Sequence, residues 1–223
     1  MSQVKRTIKY SQLDQCGLVV DTVYEAGDSG LPGDDPINRI LRCGQKGGLR
    51  CRGNIEANDI DLSVLTLNLS DPYWSDSIDK KLGQLTFYGD NRRAGLSITN
   101  SSQKVNIFLT NIFKAFHTGQ RHLIPPVFIF SEMNEGLDTK FCGLAVPGAS
   151  NLNDRQDFIN ILKTINGRKF QIYKSTFTIL NIPNISRDWI RDLTEGKTPF
   201  GSNAPEVWLH WIKTRRYIPI ISS

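Results

Sequence analysis

The sequence has no run of about 18 apolar residues, so no segment of it reads as a membrane-spanning helix. Its first ten residues are polar and basic, with Lys5, Arg6 and Lys9, and lack the apolar stretch of a secretory signal. A cytoplasmic protein with no membrane partner is expected. Cysteine is sparse: Cys16, Cys43, Cys51 and Cys142 form no CxxC pair, and His117, His122 and His210 lie far from them. Zinc-ligand spacing is therefore absent, no metal ligand is assigned, and the cysteines read as free thiols. GxSxG, HExxH, Walker and GxGxxG patterns are missing, as are internal repeats and low-complexity tracts.

What is present is an ordinary globular composition, 39% hydrophobic and 22% charged over 223 residues. That length supports a core that needs no disulfide. Lys and Arg number 27 against 22 acids, a net charge of +5 with a pI near 9.0. The bias is compatible with a nucleic-acid partner without requiring one.

Strand-like segments dominate the first 180 residues. Gly17–Glu25, Leu62–Leu69, Leu85–Gly89, Val127–Phe130, Phe141–Val146 and Lys169–Leu180 are rich in β-branched and apolar residues. Ala26–Pro36, with three Gly and two Pro, reads as a long loop. Apolar positions 105, 108, 109, 112, 113 and 116 have helical spacing, with Ser101 or Ser102 as cap and Gly119 as stop. Arg155–Ile165 reads as a second amphipathic helix. Ser186 caps a short helix closed by Gly196, and Pro205 opens another through Trp208 and Trp211. The pattern is α+β with a mostly antiparallel sheet or barrel and a helical C-terminal appendage.

Acidic residues are missing from Pro36–Asn54, where Arg39, Arg42, Lys46, Arg50 and Arg52 alternate with four glycines in nineteen residues. Such a segment reads as a solvated loop or as a loop whose glycines let backbone approach nucleic acid while its arginines contact phosphate or guanine. Asn91, Arg92 and Arg93 form a smaller basic group after a strand. In that strand, period two places Thr86, Tyr88 and Asp90 on one face and turns Phe87 towards the core. A ring beside a carboxylate suits a pocket for one base, the ring stacking and the carboxylate accepting from a cytosine amino group. The same spacing also fits a strand-end tyrosine followed by an Asp-Asn turn. Tyr73 and Trp74, between acids, read as a lid on the core or as a stacking platform. Glu195-Gly196-Lys197 matches the E-x-K half of a nuclease metal site, yet that half needs a strand and here ends a helix.

Six ordered segments, VDTVYEAGDSGLPGDDP (20–36), QKGGL (45–49), LSDPYWSD (69–76), LGQLTFYGDNRR (82–93), IPPVFIF (124–130) and FCGLAVPG (141–148), with the closing PEVWLHWIKTRRY (205–217), carry a family resemblance. Over about residues 18–217 the sequence resembles the N-terminal recognition domain of modification-dependent restriction endonucleases of the AspBHI, MspJI and LpnPI kind. The resemblance implies an SRA-like, PUA-related fold: a curved β-sheet or barrel flanked by helices. It divides the chain into an N-terminal arm (1–17), a recognition core (18–180) and a helical appendage (181–223). It implies binding of double-stranded DNA carrying 5-methylcytosine, or alternatively 5-hydroxymethylcytosine, with the modified base flipped into a pocket. That pocket would comprise Thr86, Tyr88, Gly89, Asp90 and Trp74. Arg39, Arg42, Gln45, Lys46, Arg50, Arg52, Asn91, Arg92 and Arg93 would bind DNA, Gln45 filling the space left by the flipped base. Binding would need no cofactor. Magnesium and any oligomerisation would belong to a separate C-terminal PD-(D/E)xK nuclease domain of a prokaryotic protein, beginning where this chain ends, so the chain itself is expected not to cut. The alternatives are a metal-dependent nuclease using Glu195 and Lys197, or a barrel binding RNA or a small ligand.

Overall fold

A computed structural model describes residues 6–44, 47–70, 72–73, 75–89, 98, 104–133 and 136–221. In chain order the elements are β1 (Thr7–Ile8), β2 (Leu18–Val19), β3 (Val23–Tyr24), α1 (Pro36–Leu41), β4 (Leu49–Asn54), β5 (Asp59–Leu67), β6 (Ser77–Asp79) and β7 (Gln84–Tyr88). Helix α2 (Val105–His117) follows, then β8 (Val127–Glu132), β9 (Thr139–Pro147), β10 (Phe158–Ile165), β11 (Arg168–Ile179), β12 (Asn184–Ile185), α3 (Arg187–Thr194) and α4 (Glu206–Thr214).

One large sheet runs β4-β5-β8-β9-β11-β7-β6, with β3 joining β9, β1 joining β3, and β10 joining β11. Only the β1–β3 and β5–β8 pairings are parallel among the described residues. This is the mixed α+β, mainly antiparallel class expected. Strands β8 and β9 are almost continuously apolar because both their faces are covered. Helix α2 lays Phe113 edge-on to Phe177 of β11, with ring centroids 5.4 Å apart. Trp189 of α3 packs 6.0 Å from Phe128 of β8. Helix α4 joins the two, Trp211 stacking on Phe116 and Trp208 lying 5.5 Å from Trp189. The segment expected as an appendage thus contributes three fully buried tryptophans to the core of the sheet. Leu13 of the expected arm is buried in the same core.

Three local expectations are corrected. Residues 155–165 do not form a helix; Phe158–Ile165 is a strand paired with β11 throughout. The turn between the two strands is Asn166-Gly167, both with positive φ (49° and 76°), the arrangement that matches strand twist and that Asn-Gly supplies. The long acid-free segment is not one loop. Pro36–Leu41 is helical, started by Asp35, whose carboxylate accepts from the Asn38 N–H at 3.1 Å, and Leu49–Asn54 is a strand. Gly17–Glu25 splits into two short strands around Asp21, which adopts φ 61°. The Ser101/Ser102 cap lies outside the described residues.

Candidate nucleic-acid interface

Strand β7 alternates as its sequence requires: Leu85 and Phe87 are buried, whereas Thr86 and Tyr88 are half-buried on the other face. Register places Tyr88 opposite Lys174 and Thr86 opposite Thr176 of β11, so these four share a face. The end of the strand is held by two devices. Asp76, buried at 6% exposure, accepts from the Tyr88 N–H and the Asn68 N–H, each at 3.0 Å. Its carboxylate therefore ties the end of β7 to the end of β5. Gly89 then donates its N–H to the Tyr173 carbonyl at 2.8 Å. A Cβ at Gly89 would sit 2.2 Å from Oδ1 of Asn106, so a side chain there would have to displace that buried amide.

Asn106 carries no functional signal in the sequence. It is buried on the first turn of α2 and donates to the Ile98 carbonyl at 2.7 Å while contacting Gly89. It thereby holds the Ile98 backbone, while its amide oxygen closes against Gly89. A recess of about 150 Å³ lies beside it, lined by Ile98, Asn106, Ile107, Thr110, Asn111 and Tyr173. Helical spacing marks position 106 as buried, but nothing in the sequence indicates what its amide would hold. Lys163 of β10 donates to the Tyr73 carbonyl, bringing the loop before β6 against the β10–β11 hairpin. Thr86, Tyr88 and Gly89 thus stand at one rim with the Tyr73 loop nearby. Asp90 and Trp74 lie outside the described residues.

The cations of the basic segment do not all face solvent. Arg39 pairs with Asp14, donates to the Tyr10 hydroxyl at 3.2 Å and stacks 4.5 Å from that ring. The Tyr10 and Asp14 contacts hold its guanidinium more firmly protonated still. Arg50, 9% exposed, pairs with Asp35 and donates to the Gly44 carbonyl at 3.4 Å. Asp35 thus caps α1 with one oxygen and binds β4 through the other. Arg52 meets Asp61 at 3.3 Å. Arg42, at the left-handed C-cap of α1, is exposed and makes no ion pair with a described residue. Gln45, Lys46, Asn91, Arg92 and Arg93 lie outside the described residues.

Glu195 and Lys197 flank the turn that ends α3, as their sequence context suggested. The Lys197 ammonium bonds Glu195 at 2.8 Å and Asp192 at 3.0 Å. That contact lowers the Glu195 carboxyl and raises the Lys197 amine, so the pair is spent on local ion pairing. One grouping of His117, Asp154 and Asp157 within 4.8 Å could in principle hold a metal among the described residues. Each member is engaged: His117 bonds Asp157 at 2.9 Å and Asp154 pairs with Arg215. Burial raises the Asp157 carboxyl despite the histidine.

The fold is that of a DNA recognition module of modification-dependent restriction endonucleases. Residues 18–223 match the family model for the restriction endonuclease AspBHI N-terminal domain, and the chain belongs to that family. The DNA modification-dependent restriction endonuclease AspBHI is 34% identical, with a TM-score of 0.91 over 97% of this chain and 55% of that chain. The DNA recognition domain of the cytosine modification-dependent restriction endonuclease LpnPI is 36% identical, with a TM-score of 0.90 over 99% of this chain and 98% of that one. MspJI restriction endonuclease, solved with a 27-mer oligonucleotide, shares the fold at 19% identity and a TM-score of 0.59, over 81% of this chain and 46% of that one. The chain thus spans about half the length of AspBHI. No match is found among curated proteins. No helix of the described residues is long and apolar enough to cross a membrane.

Proposed function

We propose that this domain binds double-stranded DNA containing 5-methylcytosine in a short sequence context, and does so by flipping the modified base into a pocket at the end of β7. The observation that carries the reading is the rim itself. The Tyr-Gly-Asp-Asn run begins where Asp76 accepts from the Tyr88 N–H and Asn106 closes against Gly89, on the strand whose outer face carries Thr86 and Tyr88. The Tyr88 ring would stack on the extruded base, and Asp90 would accept from its amino group. Flipping is favoured over groove reading on energetic grounds. One methyl in the groove offers only about 0.8 kcal/mol, less than tenfold discrimination. A closed pocket adds stacking, shape and a charge-assisted hydrogen bond on the same base. Kinship of the sheet with SRA domains is part of the same proposal. In the whole protein the module would direct a separate magnesium-dependent nuclease domain; binding itself would need no cofactor.

The test is a titration of one duplex, methylated and unmethylated, at about 0.1 M salt, where the Debye length is about 10 Å. The expected result is tighter binding of the methylated duplex and brightening of a 2-aminopurine placed beside the target. A mismatch opposite the target should leave binding at least as tight, because unstacking then costs less. Equal affinity for both duplexes would overturn the reading. Preference for RNA would favour the alternative barrel function.

A further inference from the structure

Residues 114–122, 149–157 and 210–217 together hold Lys114, Arg121, Arg155, Lys213, Arg215 and Arg216 against two acids, Asp154 and Asp157. Six cations less two acids leave +4, most of the +5 of the whole chain. The three segments are far apart in sequence, so only the fold concentrates this charge.

Printed distances close them into one surface. Arg121 donates from Nε to the Ile212 carbonyl at 2.8 Å and from a terminal nitrogen to the Lys213 carbonyl at 3.1 Å, which caps the end of α4. The Arg215 guanidinium lies 4.3 Å from the centre of the Phe116 ring and bonds Asp154 at 2.5 Å. The chain after α4 is thus drawn over the end of α2 and against the loop that follows β9. His117, the last residue of α2, bonds Asp157 of the same loop at 2.9 Å.

Both acids are occupied by these contacts, and Asp157 is only 1% exposed. Lys114, Arg155, Lys213 and Arg216 are exposed and form no ion pair with a described residue. Glu206, the one acid of α4, stands at the opposite end of that helix. The surface therefore presents uncompensated positive charge to solvent. Helix α2 connects it to the rim. Asn106 closes against Gly89 there, and His117 lies eleven residues on, about 17 Å at 1.5 Å per residue. One turn of duplex is about 34–36 Å long, so a duplex seated at the rim has phosphates within reach of the far end of α2.

We propose that the surface formed by the ends of α2 and α4 with the 149–157 loop is a second duplex-DNA contact, where Lys114, Arg155, Lys213 and Arg216 neutralise backbone phosphates flanking the target. It adds affinity and fixes position without reading sequence, as phosphate contacts do. This rests on the duplex-binding reading above.

Lys213 and Arg216 are exposed, so K213A/R216A should melt as the wild type does. Methylated and unmethylated duplexes should both bind it more weakly, by the same factor. The slope of log affinity against log salt should fall by about two, one for each phosphate no longer neutralised. K80A/K81A is the control. It removes two charges at the exposed turn between β6 and β7, at the end of β7 remote from Tyr88, and should keep the wild-type slope. Equal losses in the two variants would overturn the surface, because net charge alone would then account for the effect. An unchanged slope in K213A/R216A, with the wild-type domain still preferring methylated duplex, would overturn the surface and leave the pocket standing. A wild-type domain that binds both duplexes equally, yet loses slope in K213A/R216A alone, would sink the pocket and keep the surface. A wild-type domain that binds no duplex would overturn both.

Discussion

Replacing Asp90 by alanine is expected to erase most of the preference for methylated duplex, a loss of about 1.5–3 kcal/mol if the carboxylate holds the base amino group. Weak nonspecific binding should survive through phosphate contacts. Tyr88→Ala should lose about 1–3 kcal/mol of stacking and Tyr88→Phe little, read from the same titration. Gly89→Ala is a structural counterpart. Its methyl group would press on Asn106, so a stability loss of about 1–3 kcal/mol is expected in a denaturant melt. A melt unchanged from wild type would show that the Gly89–Asn106 approach can relax. The thiols give an independent check on the core. Burial pushes Cys43 and Cys51 up to about 12. At pH 8 that leaves on the order of one thiolate in ten thousand. Both should resist a disulfide reagent in the native protein and react at once in guanidinium.

At the scale of elements, the basic segment separates into anchored and free charge. Arg50→Ala leaves Asp35 unpaired in a nearly buried site and loosens the junction of α1 with β4. The expected cost is about 3–5 kcal/mol, seen as a large drop in melting temperature. Arg42→Ala should leave the melt unchanged and lower the salt slope of DNA binding by about one. The reverse outcome would mean that Arg50 leaves Asp35 to meet DNA. The hairpin shows why residues 155–165 read as a helix in sequence and fold as a strand. Apolar positions 158, 161, 162 and 165 fit a helical stripe, but Asn166-Gly167 followed by a second alternating run is the stronger local signal. The turn, more than the spacing, decides the period.

For the whole molecule, the C-terminal helices carry a stability prediction. Trp189, Trp208 and Trp211 are fully buried among Phe116, Phe128 and Phe200. A chain truncated after residue 180 should therefore fail to fold, giving neither a cooperative melt nor DNA binding. A folded, binding-competent truncation would show these helices to be dispensable. Incubation of the intact 223-residue domain with plasmid and magnesium should give no cleavage, because Glu195 and Lys197 sit on an exposed helix end and neutralise each other. Nicking abolished by Lys197→Ala would restore the nuclease alternative.

The sequence by itself determined the α+β class, most of the strands, the caps of α3, and the shared face of Thr86 and Tyr88. These depend on period, caps and turn residues, which are local properties of the chain. The family too was legible, in short motifs whose order survives without alignment. Only the tertiary structure decided which arginines of the basic segment are paired. Their acids, Asp14, Asp35 and Asp61, come from outside the run of cations or from its border, and proximity across a fold leaves no mark in composition. It likewise placed the Asn106 amide between Gly89 and Ile98. The chain dictates pairing by local chemistry, while the charge left for a partner is set by long-range contacts that compete for it.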